Sequence, residues 1–220
     1  MTAAQDQLRQ QLLAGLEQAQ LRPGSEQVDS LLAYLQLLHK WNRAYNLSGI
    51  KDIGQMLSLH VLDSLLLLPL IDGRLVADVG TGAGLPGIPL AICLPDTRFI
   101  LIDSNSKKTR FIFQACAQLG VNNVDVVHAR VQDYARATQV DIVTSRAFAS
   151  LADMVGACSH LLAPAGKFLA MKGQKPVREI AELPADYTVA DVRRLQLPGS
   201  DAERHVVDIR LNTNKALPYN

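Results

Sequence analysis

From Leu75 onward, short apolar β-prone runs alternate with helix-like stretches, and this rhythm constrains the fold more than any other feature of the chain. The runs are Leu75–Val79, Arg98–Ile102, Val124–His128, Val140–Thr144 and Lys167–Met171. Between them, Leu85–Leu94, Lys107–Leu119 and Leu151–Leu162 read as helices. Successive parallel strands need a crossover connection, and a helix supplies it. The pattern therefore predicts five parallel strands wrapped by helices. The end of the chain differs. Tyr187–Leu197 and Glu203–Leu211 flank a turn at Pro198-Gly199, which predicts an antiparallel hairpin and a seven-stranded sheet.

Residues 1 to 72 predict helices only. In the segment from Gln27 to Asn46, Val28, Leu31, Leu32, Leu35, Leu38 and Trp41 recur three and four apart, forming one apolar face. Pro23 and Gly24 break the chain before it. A further helix is expected over Gln55–Leu70, with Asp52 and Gln55 spaced like a capping box. Asp72-Gly73 closes this part. With no Ser- or Gly-rich linker after it, residues 1–220 read as one domain: a helical extension (1–72) on a catalytic core (73–220).

Composition narrows the class. Hydrophobic residues make up 48% of the chain and charged residues 20%, as in soluble globular proteins. The apolar run Leu65–Ile71 is well short of the roughly 20 residues that span a bilayer, and the N-terminus lacks the pattern of a secretion signal. A cytoplasmic monomer with no membrane partner is expected. Cys93, Cys116 and Cys158 are odd in number, widely spaced and flanked by apolar residues, so they read as buried thiols. The five histidines show no metal-ligand spacing. The net charge of +1 means that any nucleic acid must be held by local basic clusters. Lys40 with Arg43, Lys107–Arg110, Lys172–Arg178 and Arg193-Arg194 are such clusters.

The first strand breaks into glycines in VADVGTGAGLPGIP, Val76 to Pro89. Two registers compete. Gly82-Ala-Gly84-Leu-Pro-Gly87 formally matches the dinucleotide fingerprint but begins two residues after the strand should end. Asp78-Val-Gly80-Thr-Gly82-Ala-Gly84 begins where the strand ends, and it resembles motif I of S-adenosylmethionine (SAM) dependent methyltransferases. SAM has no pyrophosphate for a helix N-terminus to hold, so here the glycines serve close backbone approach. Asp78 suits a ligand carrying sulfonium and ammonium groups better than it suits pyrophosphate. Asp103 ends the second strand about 20 residues on, where an acid accepts from ribose hydroxyls. It, or Ser104, could instead cap the next helix. After the third strand, Val131 with Gln132 or Asp133 could supply the acceptor and donor that adenine needs.

The fourth strand ends in Ser145-Arg146-Ala147-Phe148. An Asn/Asp-Pro-Pro-aromatic motif for methylating exocyclic amines is not found there, and no cysteine lies near a strand end to act as nucleophile. An acceptor that is already nucleophilic fits best. Guanine N7 has a lone pair and no proton to remove, so alignment matters more than a general base. No catalytic base is assigned, and Arg146 could hold the SAM carboxylate or a substrate phosphate.

The chain resembles the RsmG (GidB) family of bacterial 16S rRNA guanine-N7 methyltransferases. The segments that carry the resemblance are WNRAYNLSGI, HVLDSL, DVGTGAGLPGIPLAI, LIDSNSKKTRF, ARVQDY, SRAFASL, MKGQ and ERHVV, in this order over nearly the whole chain. The resemblance implies a Rossmann-like class I α/β methyltransferase fold with SAM as methyl donor. It also implies the small ribosomal subunit as partner and N7 of the guanine numbered 527 in 16S rRNA as acceptor. It carries SAM contacts onto Gly80, Leu85, Val131, Gln132 and Arg146, beside Asp103. At Gln132 the family often has an acid, so Gln132 and Asp133 share the adenine assignment. An NAD(P)-dependent oxidoreductase and a non-enzymatic ribosome-assembly factor with a SAM-like pocket are the competing readings.

Overall fold

A computed structural model describes residues 3–135 and 139–212 of the chain. Residues 1–2 and 213–220, the two ends of the expected 1–220 domain, lie outside the described residues.

Seven strands form one sheet in the order β3-β2-β1-β4-β5-β7-β6. They are β1 (Leu75–Val79), β2 (Arg98–Asp103), β3 (Val124–His128), β4 (Val140–Ser145), β5 (Leu162–Lys172), β6 (Tyr187–Gln196) and β7 (Glu203–Leu211). The first five run parallel, and β7 lies antiparallel between β5 and β6. The strand order reverses between β1 and β4, where open α/β sheets leave a crevice at the strand carboxyl ends. β5 begins at Leu162, earlier than Lys167, because its first residue pairs with Val140 across an irregularity in the β4 register.

Alternate side chains along each strand face opposite layers. Val76, Phe99 and Leu101 pack with α2 (Ser25–Tyr45), α5 (Gly87–Cys93) and α6 (Ser106–Leu119). Ala77, Ile100, Val143 and Phe168 pack with α7 (Leu151–Cys158) on the other face. The N-terminal helices join the first of these cores. Leu31, Leu35 and Leu38 of α2 are fully buried there together with Leu12 and Leu16 of α1 (Ala3–Gln18). Each buried leucine stabilises the contact by about 1.5–3 kcal/mol, enough to fix the extension on the sheet.

The expected helix over Gln55–Leu70 is not continuous. It divides into α3 (Ile53–Met56), a π-helical stretch (Leu57–Leu62), α4 (Asp63–Leu65) and a 3-10 turn (Leu68–Leu70). Asp52 caps its start by accepting from Gln55 N at 2.8 Å, and Pro69 lies inside the closing 3-10 turn, whose last bond runs from Ile71 N to Leu68 O. By length and composition Ile53–Leu70 could cross a membrane, but 56% of it is buried inside the fold. The wider π turn carries His60 and Asp63 to the carboxyl edge of the sheet. A short helix, α8 (Val177–Ala181), follows β5.

Candidate functional site

The glycine loop leaves β1 at Val79, so Gly80 is its first glycine, as the second register requires. Gly80, Gly82 and Gly84 all have positive φ, +67°, +62° and +88°, values that only glycine adopts without cost. A Cβ on Gly80 would also lie 2.5 Å from the Ala147 Cβ. The loop is tied from several sides. Gly80 N and Thr81 N donate to Ile102 O, and Tyr34 Oη donates to Ala83 O at 2.7 Å. Gly82 N donates to Asp103 Oδ2 at 2.8 Å.

A cleft of about 250 Å³ opens at the ends of β1, β2 and β3, lined by Gly80, Asp103, Val131, Gln132, Ala147 and Phe148 among others. Four of the six residues singled out from the sequence meet here. Asp103 is not the cap of α6. That role falls to Asn105, whose Oδ1 accepts from Lys107 N. The Asp103 carboxylate instead joins the loop to the strand end, with Oδ1 accepting from Asn105 N and Oδ2 from Gly82 N. Each oxygen keeps a further lone pair for a ligand hydroxyl. Gln132 is exposed at the rim and Val131 is buried, the order expected if backbone and side chain face a planar base together. Leu85 does not line this cleft. It is buried in the core beneath the loop, and its N–H donates to Thr81 O.

Asp78 is fully buried under the loop rather than facing the cleft. Its Oδ2 accepts from Thr81 Oγ1 at 2.6 Å and Gly87 N at 2.8 Å, while Oδ1 has no partner. Burial pushes its pKa up to about 6, against the pull of those two donors. The acid therefore ties the loop to α5.

Across the segment that follows β4 lies a second cleft of about 460 Å³, lined by His60, Asp63, Arg146, Met171, Lys172 and Arg204 among others. Arg146 opens here and not into the first cleft. Asp63 is nearly buried and binds two guanidiniums: Oδ2 accepts from Arg146 at 3.1 Å and Oδ1 from Arg204 Nε at 2.8 Å. Lys172 pairs with Glu179 at 2.8 Å and donates to the carbonyls of Phe148 and Ala149, bracing the wall between the clefts. Burial, then the nearby Arg146 charge, pushes the His60 pKa down to about 4, and its Nε2 lies 2.6 Å from Ser48 Oγ. Asp63 and Arg204 are the residues that sequence reasoning missed as site members. Their segments, HVLDSL and ERHVV, carried the only signal.

The three thiols line neither cleft. Burial raises Cys93 and Cys158 to about 12 and Cys116 to about 11, so all stay protonated at neutral pH. A cavity of about 630 Å³ lies at the opposite edge of the sheet beside Arg98 and the Leu119–Asn123 turn. Its lining gathers fewer ionisable groups than the second cleft, where His60, Asp63, Arg146, Lys172 and Arg204 meet.

Comparison with known proteins identifies the family. Residues 27–207 match the family described as rRNA small subunit methyltransferase G. A protein of Laribacter hongkongensis named "Ribosomal RNA small subunit methyltransferase G" is 48% identical over 204 residues, 93% of this chain and 99% of the relative. One of the same name from Escherichia coli O1:K1 / APEC is 46% identical over 197 residues, 90% and 95% of the two chains. Among solved structures, TrmN from Thermus thermophilus aligns with a TM-score of 0.60 at 20% identity, covering 78% of this chain and 53% of that one. A SAM-dependent methyltransferase from Thiobacillus denitrificans in complex with S-adenosyl-L-homocysteine aligns with a TM-score of 0.50 at 13% identity, covering 68% and 91%. At these identities the two structures speak for the fold.

Proposed function

The chain belongs to the rRNA small subunit methyltransferase G family, and from that premise we propose that it methylates N7 of guanine 527 in 16S rRNA. It is a SAM-dependent methyltransferase with a Rossmann-like fold. When bound, SAM supplies a methyl carbon activated by a sulfonium. The observation that carries the reading is the junction of two clefts at one sheet edge, sharing a wall at Arg146–Phe148.

On this reading Gly80, Asp103, Val131 and Gln132 hold the nucleoside part of the donor, with Asp103 accepting from ribose hydroxyls. Arg146 takes its carboxylate at the shared wall. Leu85 supports the loop from below. The acceptor base enters from the second cleft. Guanine N7 needs no deprotonation, and the site is consistent with that. His60 is neutral at pH 7, and no thiol faces either cleft. The protein's contribution is alignment and exclusion of water. A guanine N7 inside an A-form duplex is inaccessible, so the base is unpaired or flipped out. The core shared by residues 1–72 and the sheet supports one domain, and we take the protein as a cytoplasmic monomer acting on rRNA.

The test is transfer of labelled methyl from SAM to small ribosomal subunits, followed by mapping of the modified atom. Label at N7 of guanine 527 is expected. Label at another base or atom, or none, overturns the reading. A second test isolates Asp103. Its replacement by alanine should weaken S-adenosylhomocysteine binding by about 1–3 kcal/mol in calorimetry. Unchanged affinity in a folded variant would remove Asp103 from the donor site.

A further inference from the structure

Outside both clefts, one face carries charge that folding does not explain. The α6 helix begins Ser-Lys-Lys-Thr-Arg, and no acid occurs anywhere in it. Cations at a helix N-terminus oppose the macrodipole, which favours acids there. Lys107 and Arg110 lie three residues apart on the exposed side, where like charges repel. Neither they nor Lys108 nor Arg43 form an ion pair among the described residues. Some exposed arginines elsewhere are matched: Arg98 with Asp125, Arg193 with Asp191 and Arg210 with Asp208. Arg22, Arg74, Arg130, Arg178 and Arg194 are exposed without an ion pair among the described residues, but they are not gathered with other cations around an exposed ring.

The α2 helix extends this face. Glu26 and Gln27, near its start, share a cavity with Leu119–Asn123 at the far end of α6. Trp41, near its end, packs on Phe111 with ring centroids 5.6 Å apart. The two helices are therefore antiparallel, and Arg43 and Tyr45 in the last turn of α2 lie beside the first turns of α6. Both are exposed, and α2 carries no acid after Asp29. Phe113, 63% exposed, continues the stripe of Lys107 and Arg110. The stripe adjoins the donor cleft: Lys108 Nζ lies 3.9 Å from where a Cβ on Gly82 would sit, and Gly82 is bonded to Asp103.

We propose that this face, with Lys107, Arg110 and Arg43 as its cations and Phe113 as its exposed ring, seats single-stranded rRNA beside the acceptor base. The proposal rests on the reading that rRNA is the substrate. Uncompensated cations are what a polyphosphate strand neutralises, and an exposed ring next to them offers a stacking surface to an unpaired base. The like charge that destabilises α6 in the free protein becomes useful only when a polyanion lies across it.

The test separates docking from folding. A Lys107→Glu/Arg110→Glu double variant should unfold at the same or a higher temperature than wild type, because acids suit the first turns of a helix. Its S-adenosylhomocysteine affinity should stay within about twofold, while KM for small subunits rises about tenfold or more and kcat holds. In the Lys107→Gln/Arg110→Gln variant, the slope of log KM against log salt should fall by about 1.4, two phosphate contacts at about 0.7 each for a single strand. A wild-type KM and salt slope in both variants would overturn the proposal. So would a lower unfolding temperature with loss of S-adenosylhomocysteine binding, which would make the cations structural. Wild-type enzyme that fails to label small subunits would instead refute the functional reading itself.

Discussion

Replacing Asp63 with alanine is expected to lower the unfolding free energy by about 3 kcal/mol, the low end of what breaking a buried ion pair costs. The Asp63 side chain is 5% exposed, and its carboxylate answers two guanidiniums at once. Removing it leaves Arg146 and Arg204 facing each other without a counter-charge, in side chains only 25% and 22% exposed. Their partial access to water places the loss at the low end of the range. The three groups come from α4, the end of β4 and the start of β7, so the ion cluster also fixes the helical segment to the sheet. Urea unfolding at pH 7 measures the loss. Because the cluster is mostly shielded, the difference should persist in 0.5 M salt, where the screening length is about 4 Å and an exposed pair would fade. A loss under about 1 kcal/mol, or one abolished by salt, would show that the cluster is a surface feature.

Strand positions were legible because period and composition act locally. The bounds of β1, β3 and β7 coincide with the apolar runs. The early start of β5 carries no such local signal, because Pro164 and Gly166 fall inside it and both residue types disfavour strand interiors. Gly166 is glycine because a Cβ there would come 2.8 Å from the Asp141 carbonyl oxygen. The positive-φ glycines were legible for the same local reason, and they fixed the register of the loop. The Asp63 cluster was not. Asp63 and Arg204 are separated by 141 residues, and no periodicity links them. The π turn that presents His60 and Asp63 has no sequence signal distinct from that of an α-helix. Asp78 was legible as part of a motif but misread in direction. Strand alternation puts it on the same face as Val76, toward α2 and α5, so it supports the loop from within the core.

The buried position of Asp78 leads to a pH effect of similar size, with a sign that can be worked out. In the folded protein its pKa stands near 6, above the unfolded value of 3.8. Between about pH 4 and 6 the folded state therefore holds the proton more tightly than the unfolded state, and stability falls as pH rises through that window. His60 acts in the opposite sense. Its folded pKa near 4 lies below 6.5, so stability falls as pH drops from about 6.5 to 4. In wild type the two slopes largely cancel. An Asp78→Asn variant keeps an oxygen for Thr81 and Gly87 but cannot ionise. It should lose stability on acidification more steeply than wild type, and its stability relative to wild type should rise by about 2–3 kcal/mol from pH 4 to 6.5. The amide places an N–H where Oδ1 now lacks a partner, a cost of about 1–3 kcal/mol that does not vary with pH. The slope of the difference, read from urea unfolding at several pH values, therefore reports the buried charge alone. A difference that stays constant with pH would mean that Asp78 is ionised normally beneath the loop.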